Sequence, residues 1–171
     1  MEQFFEAWVE TVFERFVRRF GGLMRVGRRR ETITPIAWER AYLGSQKFLL
    51  PDLVIEQENR TIFIDAKYKD HWEELQQHRW LEIEEEIRER HREDLLQVLA
   101  YSTLSERQDT TACLAYPCTP DTWESLKDRG MLSHRAAIYA GRRKIDLVLV
   151  AVPIGGRVEE LVEHMGTAMA A

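Results

Sequence analysis

A chain of 171 residues is the length of one domain, and a content of 44% hydrophobic and 31% charged residues argues against both disorder and a membrane-embedded polypeptide. No apolar run approaches the roughly 18 residues that a spanning helix needs. The acidic opening MEQFFEAWVE does not suit an export signal, and Cys113 and Cys118 are too few for a disulfide framework or a cysteine-rich zinc site, so the expected setting is the reducing cytoplasm, with no membrane contact.

The net charge of −5 is unevenly spread. Arg15, Arg18, Arg19, Arg25, Arg28, Arg29 and Arg30 oppose Glu2, Glu6, Glu10 and Glu14 in the first thirty residues, while residues 71–94 hold nine acids against Arg79, Arg88, Arg90 and Arg92. The acidic middle reads as a solvated face. The arginine-rich stretch reads equally as a solvated face or a local anion-binding one.

In chain order, Phe4, Phe5, Trp8, Val9, Val12, Phe13, Phe16, Val17 and Phe20 recur at spacings of three and four, which predicts an amphipathic helix over 3–20 stopped by Gly21-Gly22. Residues 23–33 read as extended and 36–42 as ambiguous. The apolar runs LVI (53–55) and TIFI (61–64), separated by EQENR, predict a β-hairpin. Residues 72–104 carry a helical pattern that either runs on or divides near 91–93 into a second helix. A buried strand follows over 111–116, ended by Pro117. Asp121 is expected to N-cap a short helix closed by Gly130, strands are expected over 135–140 and 145–152, and a terminal helix from Glu159. With no repeat or linker, this order fits one α/β domain over 1–171 with a mixed central β-sheet flanked by helices and a helical insertion at about 70–93.

The chemistry concentrates at Pro51-Asp52 and Asp65-Ala66-Lys67. A hairpin turn centred between Glu58 and Asn59 places Asp52 directly opposite Asp65, whereas a three-residue turn would spoil the pairing. Opposed residues have Cβ atoms roughly 4.5–5.5 Å apart, where like charges repel. A compensating Arg, Lys or divalent cation is therefore expected, and Mg²⁺ accepts a site of one or two carboxylates plus waters. Side chains alternate along a strand, so Lys67 shares a face with Asp65. There it can orient or deprotonate a water, or stabilise charge on a phosphate. The set suits phosphodiester hydrolysis.

Asp52-x12-Asp65-Ala66-Lys67, with Pro51 before it, resembles the motif of the PD-(D/E)xK nucleases. Glu6 on the first helix and Gln97-x-x-x-Tyr101 on a later one extend the likeness. DAKYK (65–69), DLLQVLAY (94–101) and LAYP (114–117) look most like the nuclease domain of the McrC cleavage subunits of 5-methylcytosine restriction systems. The resemblance spans about 3–153 and implies a restriction-endonuclease-like core. It also implies Mg²⁺ (or Mn²⁺) held at Asp52, Asp65 and Ala66, with Lys67, Glu6 and Gln97 completing the catalytic set. Glu10 rivals Glu6 as the helix acid. Measured against that family's pattern, no additional N-terminal docking region is expected in this chain, and an acidic helical stretch fills the interval from Lys67 to Gln97.

Each of these residues has a plainer role to weigh. Asp65 can simply pair with Lys67, the Glu6–Glu10–Glu14 stripe can be solvated, Tyr101 can be interfacial, and Cys113, Trp8, Trp72, Trp80 and Trp123 read as packing residues. The implied function is metal-dependent DNA hydrolysis in anti-phage restriction, with Arg28, Arg29, Arg30, Lys69 and Tyr101 touching nucleic acid. The alternatives are a non-cleaving DNA-binding or assembly subunit, or a stand-alone repair or CRISPR-associated nuclease. No GxxxxGK[ST] pattern is present, so nucleotide-driven work is expected from an AAA+ GTPase or ATPase partner. DNA is the other expected partner, and self-association is left open.

Overall fold

Helix α1 spans Glu2–Phe20, and the three-and-four spacing of Phe5, Val9, Val12, Phe13 and Phe16 buries all five on one face. Full burial of each such side chain is worth about 1.5–3 kcal/mol. Gly21, at φ 80, ends the helix. The computed structural model describes residues 1–69 and 72–170; the first two positions of the expected 70–93 insertion, and Ala171, lie outside the described residues.

Strands β1 (Leu23–Val26), β2 (Thr34–Pro35), β3 (Phe48–Leu49), β4 (Leu53–Glu56) and β5 (Arg60–Ala66) come next. Helices α2 (Trp72–Gln77) and α3 (Glu85–Ser102) lead to β6 (Asp109–Cys118) and α4 (Pro120–Asp128). Strands β7 (Ser133–Ala140) and β8 (Arg143–Pro153) and helix α5 (Val158–Met169) complete the order. Six strands form one sheet, ordered β1-β4-β5-β6-β8-β7, and β2 pairs with β3 separately. Strands β5, β6 and β8 run parallel, while β1, β4 and β7 join antiparallel. The architecture is a mixed α/β one with a helix-flanked central sheet, consistent with a restriction-endonuclease-like fold. Among the described residues, no helix is long and apolar enough to cross a membrane.

The parallel centre is buried on both faces, and residues 110–116 of β6 show no exposed position. Along β5, Ile62, Ile64 and Ala66 join the main core with α1. On the alternate parity, Phe63 packs with Val54 and Tyr101 toward α3. Asp65 and Lys67 share the Phe63 parity, so the strand aims them at α3. The β4–β5 register pairs Leu53 with Ile64 and Val54 with Phe63, as a turn centred between Glu58 and Asn59 requires. One step further out, Asp52 meets Asp65.

Four expectations are corrected. The helical stretch breaks over 78–84, not at 91–93, because α3 runs unbroken through His91. Pro117 lies inside β6 instead of ending it. The β5 pairing stops at Ala115, so beyond that point Pro117 has only β8 beside it and its missing N–H costs no second ladder. The cap of α4 is Thr119, whose hydroxyl accepts from the Thr122 amide, and Asp121 sits in the first turn. Residues 23–33 are extended only over β1; a 3-10 turn at Gly27–Arg29 follows.

That turn holds the site. The Gly27 N–H donates to the Asp52 carbonyl at 2.7 Å, and a Cβ on Gly27 would lie 2.4 Å from the Pro51 carbonyl oxygen. Only glycine allows β1 to close so tightly on this segment. Thr32 adds a hydroxyl donating to the Pro51 carbonyl at 2.6 Å.

Candidate active site

Beyond the C-terminal ends of β4's partner β5 and its neighbour β6, where open α/β sheets bind ligands, lies a cleft of about 240 Å³. Glu2 and Glu6 of α1, Leu50, Asp52, the run 65–69, and Gln97 and Tyr101 of α3 line it. A larger cavity, about 810 Å³, opens at the opposite end of the sheet near Phe20, Arg60, Asp109 and Gly166, away from these groups.

Asp52 Oδ2 accepts the Ala66 N–H at 2.8 Å. Burial first, then the Asp65 charge, push the Asp52 carboxyl up to about 8, although the Ala66 bond works against this. Asp65 is also raised, by burial, with Lys67 and a hydrogen bond to Asp52 pulling the other way. The pair titrates as a unit. Asp65 Oδ2 is in ionic contact with Lys67 Nζ at 2.6 Å, yet among the described residues no well-directed hydrogen bond reaches this buried oxygen.

Lys67 is fixed by its main chain, since its N–H donates to the Ala115 carbonyl at 2.9 Å and so continues the β5–β6 ladder. Its Nζ donates to Gln97 Oε1 at 2.6 Å, and Gln97 Nε2 donates to the Tyr101 hydroxyl at 2.8 Å. The spacing of four on α3 produces this relay. Burial opposes the Lys67 charge, but Asp65, Asp94 and Asp52 outweigh it and hold the ammonium above its ordinary value. An ammonium held in this way can supply charge and orientation, and its surroundings favour keeping its proton.

The two candidate helix acids separate. Glu6 lines the cleft, its carboxyl raised by burial and by Glu2. Glu10 is buried and turned to the arginines, receiving Arg28 at 2.6 Å and Arg29 at 2.5 Å. Arg28 and Arg29, offered by the sequence as nucleic-acid contacts, thus each carry an acid partner, although both side chains are half exposed. Arg30 adopts a left-handed conformation at φ 63 with its guanidinium 5.9 Å from the Phe48 ring.

Lys69 donates to Asp94 Oδ1 at 2.5 Å. Asp94 opens the DLLQVLAY run, but the sequence does not single it out as a buried acid behind the cleft. It lies in the acidic run that reads as solvated, yet it is 2% exposed. The available signal is its place one turn before Gln97, on the same helix face. Glu82, Glu84, Glu85, Glu86, Glu89 and Glu93 of the same run are exposed, with Glu85 paired to Arg88 and Glu86 to Arg90. Trp72 stacks on Tyr116, and Trp8 and Trp123 also pack inward, whereas Trp80 stays 42% exposed.

Among the described residues, no three His, Cys, Asp or Glu side chains converge closely enough to hold a metal. A cation here would rest on Asp52, Asp65 and a main-chain carbonyl, all that Ala66 can offer, with waters filling the remaining positions. The donor set fits a hard divalent ion. Two facing carboxylates resist joint ionisation, and one buried Asp65 oxygen, though near Lys67, has no well-directed donor among the described residues.

Residues 1–117 match a family model described as McrBC 5-methylcytosine restriction system component. No curated protein matches the chain.

Proposed function

The chain belongs to the family of McrBC 5-methylcytosine restriction system components, and from that membership and the cleft we propose that it is the DNA-cleaving subunit, a metal-dependent phosphodiesterase of the PD-(D/E)xK type. The observation that carries this reading is the Asp52–Asp65 pair beside Lys67, at the C-terminal end of β5. Asp52, Asp65 and the Ala66 carbonyl would hold Mg²⁺ or Mn²⁺, which when bound polarises the phosphate and stabilises the leaving oxygen. Lys67 presents its ammonium to the attacking water and the phosphate, held in place by Gln97, which Tyr101 fixes in turn. Glu6, raised by burial at the rim, can receive a proton from the water network.

The substrate is DNA and the partner is an AAA+ GTPase or ATPase that supplies nucleotide-driven movement. The test is cleavage of plasmid DNA by the chain reconstituted with its system's partner. Mg²⁺ should support cutting, and EDTA or Asp65→Asn should abolish it with the assembly intact. Equal cutting by Asp65→Asn would remove this cleft from the chemistry.

A further inference from the structure

Asp94 has no part in the motif, yet its surroundings are built. Its Oδ1 receives Lys69 Nζ at 2.5 Å and lies 3.9 Å from Lys67 Nζ. Its Oδ2 accepts the Tyr116 hydroxyl at 3.3 Å, and Tyr116 lies 3.0 Å from His91 Nδ1 and is stacked on Trp72. A buried phenol thus steadies the carboxylate from behind, while its charge points at two lysines. Two ammonium groups converging on one oxygen would repel each other without it. Of the two, Lys67 is 13% exposed and already engaged by Asp65 and Gln97, whereas Lys69 is 31% exposed and lines the cleft.

We propose that Asp94 is a positioning residue that sets Lys69 beside Lys67, so that two ammonium groups face a phosphate entering the cleft. The proposal rests on the phosphodiesterase reading above. Asp94 touches no reacting atom. Its carboxylate fixes where the second cation stands, in the way that supporting groups behind a site fix those that meet the ligand. Loss of its charge would free the Lys69 side chain to swing out on its flexible stem.

The test is binding of a short DNA duplex over a range of salt, with Ca²⁺ replacing Mg²⁺ so that no cleavage intervenes. Asp94→Asn, Lys69→Met and the double variant are compared with wild type, each checked by circular dichroism. Each single variant should bind more weakly and lose about 0.9 from the log–log salt slope, the signature of one phosphate contact. The double variant should lose no more than either single. A bystander carboxylate merely repels DNA, so tighter binding by Asp94→Asn would overturn the proposal. So would losses that multiply in the double variant. If Asp94→Asn does not fold, Lys69→Met and Lys69→Arg decide: loss with Met and retention with Arg support the arrangement, and wild-type binding by Lys69→Met overturns it. Wild-type protein that binds no DNA would overturn the phosphodiesterase reading as well. Lys69-independent binding with Asp65-dependent cleavage would overturn this proposal alone.

Discussion

Asp52 and Asp65 face each other across the β4–β5 hairpin, and the group bound to Asp52 Oδ2 is the Ala66 amide, while Lys67 contacts Asp65. The backbone neutralises one carboxylate only in part, and burial together with the Asp65 charge pushes the Asp52 carboxyl up to about 8.

A pH dependence follows. In the unfolded chain Asp52 titrates near 3.8, so between that value and about 8 the folded state keeps a proton that the unfolded state has released. The contribution of this group to stability is therefore greatest at low pH and falls as pH rises through the window, by at most about 1.4 kcal/mol per unit. The imidazoles of buried His91 and half-buried His164, both lowered by desolvation, act in the opposite sense near neutrality. Comparison with Asp52→Asn removes one carboxylate of the coupled pair and leaves both histidines in place. In urea denaturation with EDTA, the stability of wild type relative to Asp52→Asn should fall from pH 5 to pH 8, and saturating Mn²⁺ should remove the fall. A rise in EDTA would contradict the assignment.

Lys67→Ala should fold and hold metal yet cleave about 10²–10⁴ times more slowly in single-turnover assays of the active assembly, the range for loss of one positioned catalytic group. Gln97→Ala should slow cleavage in the same direction by less, because Asp65 still holds the ammonium. A Lys67→Ala protein with the wild-type rate would place this lysine outside the mechanism.

Neutralising Arg28, Arg29 and Arg30 together should reduce the salt slope of DNA binding by about one to two, and not by the nearly three expected of three free phosphate contacts. Glu10 already compensates part of the Arg28 and Arg29 charge. A slope reduced by nearly three would show that DNA displaces Glu10 from both.

Gly27→Ala should destabilise the fold by about 1–3 kcal/mol, the cost of forcing an atom into a packed contact. The new Cβ would strike the Pro51 carbonyl and push the Asp52 segment out of register. Mn²⁺ affinity should therefore fall with stability in paired calorimetric and urea experiments. Unchanged affinity would mean that Gly27 supports β1 alone.

The order of elements and the Asp52–Asp65 register were legible because they depend on local signals: the apolar spacing of α1, two short strands, and a turn whose centre sets the pairing. The short β2–β3 pair was not, since two residues per strand leave no periodicity to read. Thr119 and Asp121 carry equal capping chemistry, and Pro120 at the first helical position is what favours Thr119. Asp94 and Glu10 look like any surface acid in sequence. Their burial depends on lysines and arginines brought from other elements, which charge patterning along one helix cannot reveal.

Isothermal titration with Mn²⁺ tests most directly whether the facing carboxylates form a divalent-cation site. Wild-type protein should bind Mn²⁺, release protons as it does so below about pH 8, and lose that binding on either Asp52→Ala or Asp65→Ala. Binding that both variants retain at wild-type strength would contradict a cation shared by Asp52 and Asp65.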